Sequence, residues 1–160
     1  MPARLREQRA GSRAALPGPL YCDTSALLKL YLPEPGSDAF NRAVEGRDDL
    51  VVSDLAVTEV VSALSRRLRQ DALTREIADR VRHAIVGSLD GGVYGRVELT
   101  RGVHRRAEHL LLSLTETPLR AADALHLALA TSARAASLAS FGTRLAAAAR
   151  ALGLATYPAV

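Results

Sequence analysis

The sequence predicts an α/β fold in which helices cover both faces of a parallel sheet. Short apolar runs, such as Leu20–Asp23 and Leu50–Ser53, alternate along the chain with longer segments of helical periodicity. This alternation is typical of parallel sheets, whose crossover connections are helices. The length of 160 residues corresponds to one domain, and 48% hydrophobic residues are enough to form a core.

The first strand and helix follow each other directly. An apolar strand is expected at Leu20–Asp23, and a helix is expected over Ser25–Tyr31, where two nearby prolines end it. A second helix is expected over Ser37–Glu45, before the buried strand Leu50–Ser53.

Two longer helices come next. Asp54 is the expected N-cap of the helix Leu55–Gln70, whose apolar residues recur on one face. A further helix is expected over Thr74–Val86, and Gly87 and then Asp90-Gly91-Gly92 are expected to end it.

The second half of the chain repeats the alternation of strands and helices. Its expected elements are a strand at Tyr94–Leu99, helices at Arg101–Leu114 and Ala121–Arg134, a strand at Ser137–Phe141, a helix at Thr143–Leu152 and a last strand at Leu154–Tyr157.

The polar and basic segment 1–18 is predicted to be a mobile arm, and residues 19–160 to form the single domain. The arm lacks the apolar stretch of a signal peptide, and no run of apolar residues has the length of a membrane helix. We therefore expect a cytoplasmic protein that does not engage a membrane.

Composition excludes several function classes. A single cysteine rules out a disulfide framework and a thiolate zinc site, and 4% aromatic residues without tryptophan disfavour a base-stacking surface. The net charge is +4, and 20 of the 21 basic residues are arginine. Such a surface favours a polyanionic partner, although a general bias toward arginine would give the same count.

Three acids stand at positions where an α/β sheet places its ligands, at strand ends and helix starts. Asp23 follows the first strand, Glu59 borders the apolar face of its helix, and Asp123 lies in an alanine- and leucine-rich helix start. Each has a structural alternative: Asp23 as an N-cap, Glu59 as a boundary residue, and Asp123 as an acid held by its helix N-terminus and an arginine.

Separated carboxylates of this kind favour an oxygen-only site for Mg²⁺ or Mn²⁺, and hence metal-assisted phosphodiester hydrolysis in a basic protein. Other chemistries have little support. The four histidines show no ligand spacing, so His126, three residues after Asp123, is interpreted as a packing residue. Cys22 is also interpreted as a packing residue.

Four motifs in order resemble the PIN-domain family, especially VapC toxins of bacterial toxin–antitoxin pairs. They bracket residues 20–157. The motifs are Tyr21-Cys22-Asp23-Thr24-Ser25-Ala26-Leu27-Leu28, Val57-Thr58-Glu59-Val60-Val61, Arg120-Ala121-Ala122-Asp123-Ala124-Leu125-His126 and Ser140-Phe141-Gly142-Thr143-Arg144.

The resemblance implies a three-layer α/β/α fold with about five parallel strands and an endoribonuclease that depends on Mg²⁺ or Mn²⁺. It implies that the catalytic metal ligands are Asp23, Glu59 and Asp123, and that Thr24, Ser25 and Ser140 orient carboxylates or waters. It also implies an RNA substrate, a homodimer and a VapB-like antitoxin that blocks the acidic groove.

One position departs from the family pattern. The fourth motif usually reads S-F-D, and here Gly142 stands where the aspartate would be. The readings left open are reduced activity, replacement of the acid by another group, an introduced change, and a catalytically impaired module that binds RNA or antitoxin. A further alternative is an unrelated α/β protein whose acids are all helix caps.

Overall fold

The computed structural model describes residues 16–159, and these form five strands and seven helices. Residues 1–15 of the expected arm, and Val160, lie outside the described residues. Of the rest of the arm, Leu16 packs against the core, and its carbonyl accepts a hydrogen bond from Arg47 Nη1 at 2.8 Å.

The elements follow the order that the sequence predicts. They are β1 (Leu20–Cys22), α1 (Thr24–Tyr31), α2 (Ser37–Val44), β2 (Leu50–Ser53), α3 (Asp54–Arg69), α4 (Arg75–Asp90), β3 (Gly95–Val97), α5 (Arg101–Ser113), α6 (Ala121–Ser132), β4 (Ser137–Ala139), α7 (Thr143–Ala151) and β5 (Ala155–Tyr157).

All strand pairs are parallel, and the strands lie in the order β3-β2-β1-β4-β5. Strand β1 is central. The chain builds outward from it to β3 and then crosses to the other side to form β4 and β5. The order therefore reverses between β1 and β4, which is the place where open α/β sheets bind ligands.

Two apolar clusters cover the two faces of the sheet, which confirms the three-layer prediction. In β1, Leu20 and Cys22 face the cluster formed with α1 to α4, whereas Tyr21 faces the cluster formed with α5 to α7. Val52 and Leu138 are likewise buried on opposite faces. Period-two alternation thus fixes which side chains enter which layer.

Several predicted boundaries differ from the observed ones: the strands expected at Tyr94–Leu99 and Ser137–Phe141 are shorter, and two helix boundaries differ for a clear physical reason. The N-cap of α3 is Ser53, whose Oγ accepts from Ala56 N at 3.1 Å, and Asp54 is the first helical residue. Helix α4 passes through Gly87 to Asp90, because a glycine weakens a helix by only about 1 kcal/mol and buried Ile85 and Leu89 hold the last turns on the core.

No helix within residues 16–159 is long and apolar enough to cross a bilayer.

Candidate active site

Asp23 follows β1 at the carboxyl edge of the sheet. Its side chain is the N-cap of α1, where Oδ1 accepts hydrogen bonds from Ala26 N at 2.8 Å and from Ser25 Oγ at 2.6 Å. The residue is only 6% exposed. Both the cap alternative and the predicted contact with Ser25 are therefore seen at this residue, and both use the same carboxylate oxygen.

Glu59 lies in the second turn of α3 and faces the same edge. Its Oε2 accepts hydrogen bonds from Thr24 Oγ1 and from His126 Nε2, the latter at 2.6 Å. The hydrogen bond from His126 lowers the pKa of the Glu59 carboxyl, and this effect exceeds the opposing effect of partial burial. Glu59 is therefore ionised at neutral pH.

Asp123 is the third residue of α6. Its Oδ2 accepts from the backbone N–H of Arg120 at 3.1 Å and from Arg144 Nε at 3.2 Å. The helix N-terminus and an arginine thus stabilise the negative charge of this carboxylate, which is the structural alternative that the sequence offers for Asp123. The Arg144 side chain in this ion pair is 39% exposed.

The three carboxylates share one pattern: each is held through a single oxygen. Asp23 Oδ2, Glu59 Oε1 and Asp123 Oδ1 have no hydrogen-bond partner within residues 16–159. Because no fully buried side-chain oxygen or nitrogen of this part of the chain lacks a partner, the oxygen left over on Asp23 reaches solvent. An anchored carboxylate with one accessible oxygen can accept a cation without giving up its hydrogen bonds.

Two intermediate residues relate the three acids to one another. Thr24, next to Asp23, bonds Glu59, and His126, one turn beyond Asp123, bonds the same oxygen of Glu59. In the described part of the chain, no three His, Cys, Asp or Glu side chains are close enough to share a metal ion directly. The donor set fits Mg²⁺, which takes one or two carboxylates and keeps several waters.

The fourth motif reaches the site through the side chain of Arg144, which contacts Asp123, and through the backbone of Phe141. Phe141 N donates to Ser25 Oγ at 2.8 Å, which links this motif to Asp23. Ser140 Oγ accepts from Gly142 N at 3.1 Å, and no contact with the three acids is seen. Gly142 is the N-cap position of α7 and has no side chain with which to cap it.

The packing interpretation of His126 misses its main contacts. The ring is 3% exposed, and besides Glu59 it contacts Tyr21 OH through Nδ1 at 2.7 Å. Glu59 lies 67 residues and Tyr21 lies 105 residues from His126 in sequence, so no local residue spacing predicts these contacts. The packing interpretation of Cys22 is confirmed, since the thiol is buried and burial raises its pKa, leaving it protonated at neutral pH.

Comparisons with known proteins find similarity over most of the chain. A family model described as PIN domain matches residues 20–151. Two proteins of Mycobacterium tuberculosis, Ribonuclease VapC45 (strain CDC 1551 / Oshkosh) and Ribonuclease VapC49 (strain ATCC 25618 / H37Rv), are each 39% identical over 111 residues, covering 68% of this chain and 72% of theirs.

Solved structures share the fold at low sequence identity. The Mycobacterium tuberculosis toxin VapC20, described as cleaving the sarcin–ricin loop, aligns with a TM-score of 0.66 and 17% identity over 81% of this chain and 95% of its own. A toxin–antitoxin complex from Klebsiella pneumoniae aligns with a TM-score of 0.58 and 19% identity, over 81% of this chain and 91% of its own. The chain belongs to the PIN-domain family and, within it, to the group whose members are named VapC.

Proposed function

We propose that this protein is a VapC-type toxin, an endoribonuclease that depends on Mg²⁺ or Mn²⁺ and is neutralised by a cognate antitoxin. The observation that supports the proposal is that Asp23, Glu59 and Asp123 are each anchored through one oxygen and leave the other without a hydrogen-bond partner within residues 16–159, with Asp23 at the point where the strand order reverses. Relatives named as ribonucleases and a net charge of +4 support RNA as the substrate.

In this proposal one or two of Asp23, Glu59 and Asp123 would bind the cation directly, and the remaining carboxylate would bind it through the waters that it keeps. Bound there, a divalent cation supplies Lewis-acid stabilisation of the phosphoryl oxygens and lowers the pKa of water. Thr24 and Ser25 fix the orientation of Glu59 and Asp23, because each hydroxyl donates to the oxygen that also accepts the second hydrogen bond.

The partners follow from the same site. An antitoxin that covers the carboxylates would exclude RNA, and the Klebsiella pneumoniae complex supports a partner of this class. We further propose a cytoplasmic homodimer, which sedimentation of the full chain would detect as twice the mass of one chain.

The first test is cleavage of a mixed RNA pool by the full chain in EDTA, Mg²⁺ or Mn²⁺, comparing wild type with Asp23→Asn. Asparagine also caps helices, so the variant keeps an acceptor for Ala26 N and loses only the charge. We expect cation-dependent cleavage that falls by more than about 100-fold in the variant.

Asp54→Asn is the matched control, since Asp54 begins α3 on the exposed side and pairs with Arg96. It should cleave at the wild-type rate. Equal cleavage by Asp23→Asn, or cleavage that persists in EDTA, contradicts the proposal.

A further inference from the structure

A buried chain of hydrogen bonds crosses the sheet and ends on Glu59. It begins at Ser53 Oγ, which lies 2.9 Å from Tyr21 OH, and Tyr21 OH lies 2.7 Å from His126 Nδ1. The other ring nitrogen, Nε2, lies 2.6 Å from Glu59 Oε2. Ser53 and Tyr21 are fully buried, so water does not compete for these bonds.

The protons of this chain have one consistent order. Glu59 is a carboxylate and only accepts, so Nε2 must carry a hydrogen. A neutral ring then accepts at Nδ1, which makes Tyr21 the donor there and Ser53 the donor to Tyr21. Ser53 Oγ in turn accepts from Ala56 N at 3.1 Å. Every donor and acceptor is thereby used.

The alternative, a doubly protonated ring, breaks this order. Nδ1 would then donate to Tyr21, and Tyr21 would donate to Ser53. The hydroxyl hydrogen of Ser53 would have no acceptor within residues 16–159 at a fully buried position. An unsatisfied buried hydroxyl is destabilising, so the hydrogen-bond geometry favours the arrangement in which Nε2 carries the hydrogen and Nδ1 accepts from Tyr21.

We propose that His126 is a positioning residue: Ser53 and Tyr21 fix its Nε2–H tautomer, and that N–H holds Glu59 Oε2 so that Oε1 faces the divalent cation. The inference rests on the proposed function, since it assigns Glu59 a cation. Thr24 donates to the same oxygen, so two donors on Oε2 restrict the rotation of the carboxylate. Hydrogen-bond partners of ligating carboxylates typically contribute 10–100-fold to metal affinity.

Packing alone does not require this arrangement. A phenylalanine at position 21 and a leucine at position 126 would fill similar space between β1 and α6 without burying the Tyr21 hydroxyl and the two ring nitrogens of His126. The chain instead runs from the N-cap of α3 through β1 and α6 back to α3, and its end is the carboxylate that remains 33% exposed.

The tautomer is measured directly by ¹⁵N NMR of the histidine ring in the full chain, in EDTA and in Mg²⁺. We expect a protonated Nε2 and an unprotonated Nδ1 in the wild type, and a mixture of tautomers in Tyr21→Phe. Hydrogen on Nδ1 in the wild type overturns the inference.

The second measurement is Mn²⁺ affinity by calorimetry. We expect His126→Leu to weaken binding by about 10–100-fold, His126→Gln to restore part of it through its amide N–H, and Tyr21→Phe to weaken it several-fold. Tyr94→Phe is the matched control, because it removes a hydroxyl paired with Tyr31 rather than with the site, and it should bind as wild type does.

The outcomes separate the two proposals. If wild type binds Mn²⁺ and cleaves RNA while folded His126→Gln and Tyr21→Phe bind equally well, the positioning role is wrong and the nuclease stands. If wild type shows the expected tautomer but neither binds Mn²⁺ nor cleaves, the proposed function is wrong, and the role of His126 toward a cation falls with it.

Discussion

Gly142 lacks the carboxylate that VapC-like sequences usually carry at this position, yet its surroundings accept a side chain. Its φ of −89° suits any residue, and an added Cβ would lie 3.4 Å from Ser140 Oγ, an ordinary van der Waals distance. The position is also the uncapped N-terminus of α7, and Arg144 is the second residue of that helix. An aspartate here has two possible roles, as a helix cap and as a cation ligand.

We predict that Gly142→Asp tightens Mn²⁺ binding and raises the melting temperature in Mn²⁺ more than in EDTA. The charge adds an oxygen ligand, and a ligand that binds only the folded state stabilises it. In EDTA we expect only the gain in stability that a capping side chain gives over glycine, which is roughly a few tenths of a kcal/mol.

Gly142→Asn separates the two roles, because asparagine caps a helix as well as aspartate but carries no charge. It should reproduce the small gain in EDTA and lack the additional gain in Mn²⁺. Equal or weaker Mn²⁺ affinity of Gly142→Asp would count against a ligand position at 142.

At the scale of the element, the start of α3 joins stability to the site. Ser53 Oγ caps the helix and also holds Tyr21 OH at 2.9 Å. We predict that Ser53→Ala lowers the free energy of unfolding by about 2 kcal/mol, from about 1 kcal/mol for the cap and a similar amount for the buried hydrogen bond. Urea denaturation of the full chain measures this difference.

Asp54→Ala provides the comparison, since it removes the residue that the sequence favours as the cap. Its loss of stability should be clearly smaller, because an ion pair between exposed side chains adds little. Equal losses in the two variants would restore Asp54 as the capping residue.

The same element shows how far sequence reasoning extends. Its buried face (Ala56, Val60, Leu64) follows from periodicity, and Glu59 at the border of that face was predicted as a site residue from the same pattern. The cap was missed because serine and aspartate are both good caps, and only the backbone geometry chooses between neighbours. The link from Tyr21 to His126 was missed because it depends on which strands and helices meet in space.

At the scale of the whole molecule, strand order determines where the chemistry lies. Asp23 N donates to Ala139 O at 3.1 Å, so the first acid stands between β1 and β4, where the sheet changes direction. Glu59 and Asp123 arrive from helices in the two different layers. The alternation of strands and helices is sufficient to predict this edge of the sheet as the place of Asp23.

A charged cluster of Lys29, Glu34 and Arg67 ties α1 and α3 together beside this edge. Glu34 contacts Arg67 and accepts from Lys29 at 3.3 Å, while Lys29 Nζ lies 4.6 Å from the centroid of the Phe141 ring. Partial burial alone would raise the pKa of Glu34, but the hydrogen bonds from Arg67 and Lys29 together outweigh it and hold this pKa below its ordinary value.

The lowered pKa of Glu34 gives stability a defined dependence on pH. In the unfolded chain the Glu34 carboxyl has a pKa of about 4.3. The contribution of the ionised carboxylate to the free energy of unfolding is therefore complete above that pH, and it is lost as the pH falls through the lower pKa of the folded state. We predict that wild type and Glu34→Gln differ by a constant free energy of unfolding near neutrality and converge in acid. Arg67→Gln removes one of the two cations that contact Glu34 and keeps Lys29. Its free energy of unfolding should therefore differ from that of wild type by less than that of Glu34→Gln does, and this difference should also shrink in acid. Urea midpoints measured from pH 7 to pH 3 test this, and parallel curves for wild type and Glu34→Gln would show that Glu34 does not couple folding to protons.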